Sequence, residues 1–298
     1  MDNDLNNLLQ RTDALARTNW LHAVQILEKA GEEHPTEMDI FIALGDIYVR
    51  RKLYEKAIYQ YQRAHAIAPR NQYLSYIIGN CYFTLTEYKL ALTYYENIDQ
   101  PTIDVIYNKA LALAYLSKHQ ESVQNLKQLL QTINDNPFVY VLLIEQLIRL
   151  SSFDEAMNYL RIAESKCGKH KQFNIFKALI YARKSIWLHA YHAFTEYEKE
   201  SPINNVDYLL AYGNCAWKLG LTTKAINLFN TARGLNPHIS IVYEDLCRIY
   251  IACDDYEKAQ EMIDCAEKYL VRLSPILMLM RDRIAKHIVE HDTGHADA

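Results

Sequence analysis

The sequence predicts an all-α chain, a solenoid of helix pairs stacked on one another with no single core. Three observations predict it. The first is a recurring pattern, an aromatic residue three places before an alanine. It stands at Trp20/Ala23, Tyr54/Ala57, Tyr88/Ala91, Phe153/Ala156, Trp187/Ala190 and Tyr256/Ala259, with His119/Ser122 and Thr222/Ala225 as degraded copies. The small residues follow one another at 34, 34, 31, 34, 34, 35 and 34, and a fixed period in this range marks a stacked repeat. The second is the prolines. All seven (Pro35, Pro69, Pro101, Pro137, Pro202, Pro237, Pro275) fall at or near junctions between copies, as expected of a residue that lacks an N–H and clashes with the preceding helical turn. The third is composition. Only 8 of 298 residues are Gly, half are apolar, and Leu, Ala, Glu and Lys favour helix.

Taken in order, the units begin near residues 4, 38, 72, 103, 137, 171, 206 and 240. The second shows the plan. Met38–Arg50 carries apolar residues at Phe41, Leu44, Tyr48 and Val49; after Arg51-Lys52, Tyr54–Ile67 places Ala57, Ile58, Tyr61 and Ala64 on one face. Both stretches fit a 3.6 period, and Pro69 ends the second. Gly45 and Ala57 are small because the two helices cross there at close range. Other units depart from this plan. The first has Arg11 where a small residue is expected. The third ends early at Pro101, which accounts for the spacing of 31. The fifth carries Ile144 at the small position, so its helices are expected to sit further apart. Met1–Asn3 is expected to fray. Ser274-Pro275 reads as a helix start. The helix over Ile276–Glu290, with Ile276, Leu279, Met280, Ile284 and Ile288 along one side, is expected to cap the stack. Residues 291–298 form a polar tail.

Composition bounds the function. The net charge of −4 disfavours a nucleic-acid partner, which would call for a basic face. Six cysteines without a CxxC pair, several at inward positions (Cys81, Cys215, Cys247), read as reduced, buried thiols. The N-terminus shows no apolar leader, and no apolar run approaches the ~20 residues of a membrane span, so a cytoplasmic location is expected. The chain has no GxxxxGK, GxSxG or HExxH motif, so no enzyme activity, catalytic residue or cofactor is expected. His189, His192 and Glu196 share a helix, and His287 and His291 stand four apart. Two ligands do not make a metal site, and none is expected.

Phe41, Leu44, Gly45, Tyr48, Tyr54, Ala57, Tyr61, Ala64 and Pro69 resemble the tetratricopeptide repeat consensus, as do Ile78, Gly79, Tyr82, Tyr88, Ala91 and Tyr95, and, later, Gly213, Ala225, Phe229, Ala232 and Pro237. The resemblance covers most of the chain. It implies a right-handed superhelix of about eight units whose first helices line a concave groove. Carried over by position, the groove residues are Tyr73, Tyr76, Asn80, Phe83, Tyr107, Asn108, Tyr115, Arg149, Arg183, Asn214 and Trp217, with Phe138 and Phe176 beside them. Aromatic rings and amides suit an extended peptide or a partner helix. The resemblance thus implies a non-enzymatic scaffold that binds a protein or peptide. The alternatives are a structural, self-associating role through convex or end faces, and RNA binding, as in the similar pentatricopeptide repeats. No unit carries the Lys–Asn pair that grips chaperone tails in some tetratricopeptide proteins.

Overall fold

The computed structural model describes residues 2–294, with side chains for residues 4–287. Among the described residues there are seventeen α-helices and no strand. They fall into two compact units, Met1–Ser151 and Ser152–Ala298.

In the first unit, α1 (Asp2–Thr18) packs on α2 (Trp20–Glu33), α3 (Met38–Arg50) on α4 (Tyr54–Ile67), α5 (Gln72–Thr84) on α6 (Tyr88–Glu96) and α7 (Ile103–Tyr115) on α8 (His119–Thr132). α9 (Pro137–Arg149) closes the unit against α8. In the second unit, α10 (Phe153–Cys167) packs on α11 (Lys171–Arg183). α11 pairs with α12 (Trp187–Glu200), α13 (Val206–Lys218) with α14 (Thr222–Leu235), and α15 (Ser240–Ala252) with α16 (Tyr256–Tyr269). α17 (Pro275–Gly294) lies on α15 and α16.

The small residues do what their spacing implies. Ala57, Ala91, Ala156, Ala190, Ala225 and Ala259 are fully buried. Gly45, Gly79 and Gly213 lie under the rings of Tyr61, Tyr95 and Phe229. Ser122, the odd member of the series, donates its hydroxyl to the Ala110 carbonyl at 2.7 Å. The facing backbone is close enough to satisfy a buried polar group that would otherwise be costly. Its neighbour His119 contacts Gln146 of α9 at 2.8 Å. Around these contacts Leu27, Ile40, Phe41, Leu44 and Ile47 form one continuous core over α1–α5, each worth about 1.5–3 kcal/mol on burial.

The turn within each pair has a geometry that the sequence does not announce. Lys52, Thr86, Ser117, Ser151, Ser185, Asp254 and Gly220 hold the same place in successive pairs, and all have positive φ, between 55° and 76°. The next amide closes the turn on a carbonyl five residues back, as in Leu53 N to Tyr48 O, Glu87 N to Tyr82 O and Leu221 N to Ala216 O, each 2.9 Å. This left-handed stop fixes the first helix at 13 residues from α3 through α15, whereas the second helices run from 9 (α6, ending before Pro101) to 15 (α10).

Four expectations are corrected at the ends. In α1, Thr12 rather than Arg11 is buried, with its hydroxyl on the Leu8 and Leu9 carbonyls. Helix α1 also starts at Asp2, so Asp2 and Asn3 are helical; Met1 lies outside the described residues. In α17, Ile284 is buried as expected, but in the first turn Leu277 takes the inner place while Ile276 and Leu279 face outward. The reason is the anchor. Ser274 accepts from Leu277 N at 3.2 Å and donates to buried Glu244 at 2.7 Å, and this turns the helix by one position. Helix α17 also continues to Gly294, beyond the expected stop at Glu290. The side chains of Ile288 and His291 lie outside the described residues.

Candidate protein-binding face

In the first unit the candidate residues come together on the first helices of successive pairs. Asn71 caps α5 through the amides of Tyr73 and Leu74, which sets Tyr73 in the first turn with its ring 55% exposed. One turn on, Tyr76 tilts against Tyr95, with centroids 6.5 Å apart. Asn80 ties three helices together. Its Oδ1 accepts the Tyr95 hydroxyl at 2.7 Å and the Asn108 Nδ2 at 3.1 Å. Part of the polar capacity assigned to a ligand is therefore used in joining α5, α6 and α7.

A second cluster lies at the other end of the same helices. Tyr88 and Tyr115 stack at 4.6 Å with planes 6° apart, and Phe83 meets both edge-on. Tyr115 still presents one ring face, 58% exposed. Tyr107 is half-buried. Burial pushes its hydroxyl pKa up, and the nearby Tyr115 and Glu145 charges add to the effect. Glu145 is bonded to Arg149 at 3.0 Å. Phe138, at the start of α9, is 61% exposed.

One feature of this face was missed in the sequence. Asp39 and Asp46 occupy the positions of Tyr73 and Asn80 one repeat earlier, which is the signal that could have found them. With Asp13, Thr12 and Arg50 they line a cleft of about 300 Å³ that also takes in Leu9, Leu27, Ile42, Ala43 and Ile47. Asp46 accepts the Tyr61 hydroxyl at 2.6 Å, as Asn80 does that of Tyr95. Burial holds its carboxyl above the ordinary value, with the Tyr61 hydrogen bond and Arg50 opposing. Asp13 is held low by its hydrogen bond from Arg50, at 2.7 Å. Asn71, the cap of α5 before Tyr73, reaches the Met38 sulfur at the start of α3 at 4.0 Å, so the cleft and the aromatic face adjoin.

In the second unit, Asn214 follows Gly213 as Asn80 follows Gly79. Its side chain bonds Asp245, which is 4% exposed and also bonded to Arg248. Burial raises the Asp245 pKa, and its Oδ2 has no hydrogen-bond partner. Trp217 is half-buried and Arg183 exposed. Phe176, expected to line the groove, is buried in the packing of α11. The histidines serve packing. His189 tilts against Tyr181, and His287 stacks on Tyr256 at 3.6 Å. Burial pushes Cys81 up to about 11 and Cys215 and Cys247 up to about 12, so these thiols stay protonated. Among the described residues no helix is long and apolar enough to cross a membrane.

Comparison with known proteins agrees with this architecture. The tetratricopeptide repeat family model matches residues 12–72. The chain is 29% identical over 164 residues to anaphase-promoting complex subunit 3 of Schizosaccharomyces pombe. That match takes in 54% of this chain and 25% of the subunit, so the chain spans about a quarter of the relative's length. Among solved structures, a tetratricopeptide repeat protein from Parabacteroides merdae is similar with a TM-score of 0.62 and 13% identity, over 83% of this chain and 98% of that one. The Cut9–Hcn1 structure, a hetero-tetramer of the anaphase-promoting complex, is similar with a TM-score of 0.61 and 16% identity, over 93% of this chain and 55% of that one. At these identities the two structures speak for the fold alone. The family match over residues 12–72, the recurrent aromatic–alanine pattern, the helix pairs it builds and these likenesses support a tetratricopeptide repeat protein.

Proposed function

We propose that the chain is a non-enzymatic scaffold of eight tetratricopeptide units that holds a segment of a partner protein on the face made by α3, α5 and α7. The observation that carries this reading is the exposure of Tyr73 on α5 and Tyr115 on α7, around a rung of amides, with exposed Phe138 on α9 continuing the row. Rings of this kind bury large area at small entropic cost, and the amides retain capacity to pair with a peptide backbone. The tetratricopeptide fold and the likeness to an anaphase-promoting complex subunit support an interaction scaffold in general. The test is photo-crosslinking in extract of the source cell, with a benzophenone side chain at position 73 or 115 and, as control, at exposed Tyr59 on α4. A protein joined at 73 and 115 but not at 59 supports the reading; equal labelling at all three overturns it.

A second reading, association of copies through the end of the stack, is favoured by the outward Ile276, Met278 and Leu279 of α17, the last 71% exposed. Sedimentation at micromolar concentration tests it. A monomer that stays monomeric, in wild type and in Leu279→Ser alike, removes it.

A further inference from the structure

We propose that the partner segment is basic, and that a lysine or arginine side chain of it sits in the cleft between α1 and α3 while its apolar neighbours lie on the rings of α5 and α7. The inference rests on the binding face described above and adds the chemistry of what it holds.

Charge complementarity is the argument. The cations at matching positions of this face are already engaged, Arg50 with Asp13 and Arg149 with Glu145. Asp39 and Asp104 stand on the same face, in the first turns of α3 and α7, and form no ion pair among the described residues. Asp46 accepts the neutral Tyr61 hydroxyl, and Arg50, already bonded to Asp13, offsets part of its charge. Among the described residues, the three cleft carboxylates Asp13, Asp39 and Asp46 therefore outnumber the one cation that lines the cleft, Arg50. The shape agrees. A lining of Leu9, Ile42, Ala43 and Ile47 beside Asp13, Asp39 and Asp46 fits a side chain with an aliphatic stem and a charged head. The next repeat supplies a comparison. There an amide, Asn80, accepts the tyrosine hydroxyl at 2.7 Å, so the rung itself does not require a charge. The carboxyl of Asp46 is disfavoured by its burial, and an incoming cation would relieve that cost. The second, separate observation is Tyr73, open to solvent in the first turn of α5, whose cap Asn71 contacts Met38 at the start of α3. A segment that leaves the cleft meets an aromatic surface at once.

The experiment is selection from a random-peptide display library on the whole chain, repeated on Asp39→Asn/Asp46→Asn and on Tyr73→Ala/Tyr115→Ala. Thermal melts show that each variant remains folded. Asp39 is exposed, so the single variant Asp39→Asn serves if the double variant does not fold. The expected result on wild type is recovery of sequences with Lys or Arg next to apolar residues. Binding of the recovered peptides weakens as salt rises, falls about tenfold on the aspartate variant and is lost on the tyrosine variant. Peptides that are acidic or without charge bias, yet lost on the tyrosine variant, overturn the basic partner and leave the binding face standing. Peptides recovered equally on the tyrosine variant, or none recovered on wild type, overturn both.

Discussion

Gly45 and Tyr61 are joined by the absence of a side chain. A methyl group placed on Gly45 would lie 2.2 Å from Tyr61 Cε1, inside any contact distance, and the Tyr61 hydroxyl is itself fixed on Asp46. The ring cannot withdraw without losing that bond. Gly45→Ala should therefore destabilise the fold by about 1–3 kcal/mol. Other pairs hold Ala110 with Leu126 and Cys247 with Ile263 at the corresponding positions, so a larger residue goes with a smaller partner. Gly45→Ala/Tyr61→Leu should recover part of the loss in urea melts. A double variant no more stable than Gly45→Ala would show that ring and glycine are not the coupled pair.

Asp46 makes stability depend on pH. Its folded pKa is raised above the ordinary 3.8, first by burial. The folded protein thus binds the proton more tightly than the unfolded chain. The contribution is full below 3.8 and is lost as pH rises through the raised value. Asp46→Asn removes this dependence and keeps an acceptor for Tyr61. At neutral pH the variant should melt above wild type, and the gap should close as pH falls below 3.8. A gap that stays constant over this range would rule the carboxyl out as its source.

Thr86 takes φ of 63° at the turn between α5 and α6, where a β-branched side chain is strained. Thr86→Gly should stabilise by about 0.5–1 kcal/mol, since relief of strain exceeds the added freedom of the unfolded chain. The converse, Gly220→Ala at the same place in another pair, should cost about 1 kcal/mol. Chemical denaturation of both measures the turn from two sides. The same sign for both changes would contradict it.

Ser274 caps α17 and, with Ser240, supplies hydroxyls to buried Glu244, each at 2.7 Å. Ser274→Ala removes the cap and one of two donors to a buried carboxylate. The expected cost is about 1–2 kcal/mol, concentrated at the end of the stack. Hydrogen exchange should quicken over α17 and leave α11–α14 unchanged. Uniform quickening across the second unit would mean that α17 does not open by itself.

The helix pairs were legible because close crossing demands small residues, and Ala57, Ala91 and Ala259 recur in phase. Two kinds of information were not. The left-handed turn residues escaped because Lys52, Thr86, Asp254 and Gly220 share a conformation and no chemistry; the constraint is set by the turn, and any residue that tolerates it will serve. The register of α17 escaped because periodicity cannot choose between stripes through Ile276 or Leu277. The Ser274–Glu244 bond chooses, and Glu244 lies 30 residues away in sequence. At the candidate site, position along α5 and α7 identified Asn80 and Asn108 but not that they bond each other. The acidic cleft was passed over because Asp39 and Asp46 look like ordinary solvated charges until Leu9 and Ile42 are seen beside them.

The first helices of α3 through α15 all measure 13 residues, while the second helices and the junctions after them together absorb the differences in repeat length. The chain keeps a ruler on one edge and slack on the other. An insertion, tag or loop graft placed at the proline junctions, such as 201–205 or 97–102, changes a length that already varies. The same graft at Arg51-Lys52 or Leu85-Thr86 would break a measure shared by seven helices. For construction of hybrid arrays, the proline edge is the seam at which units can be cut and rejoined in phase.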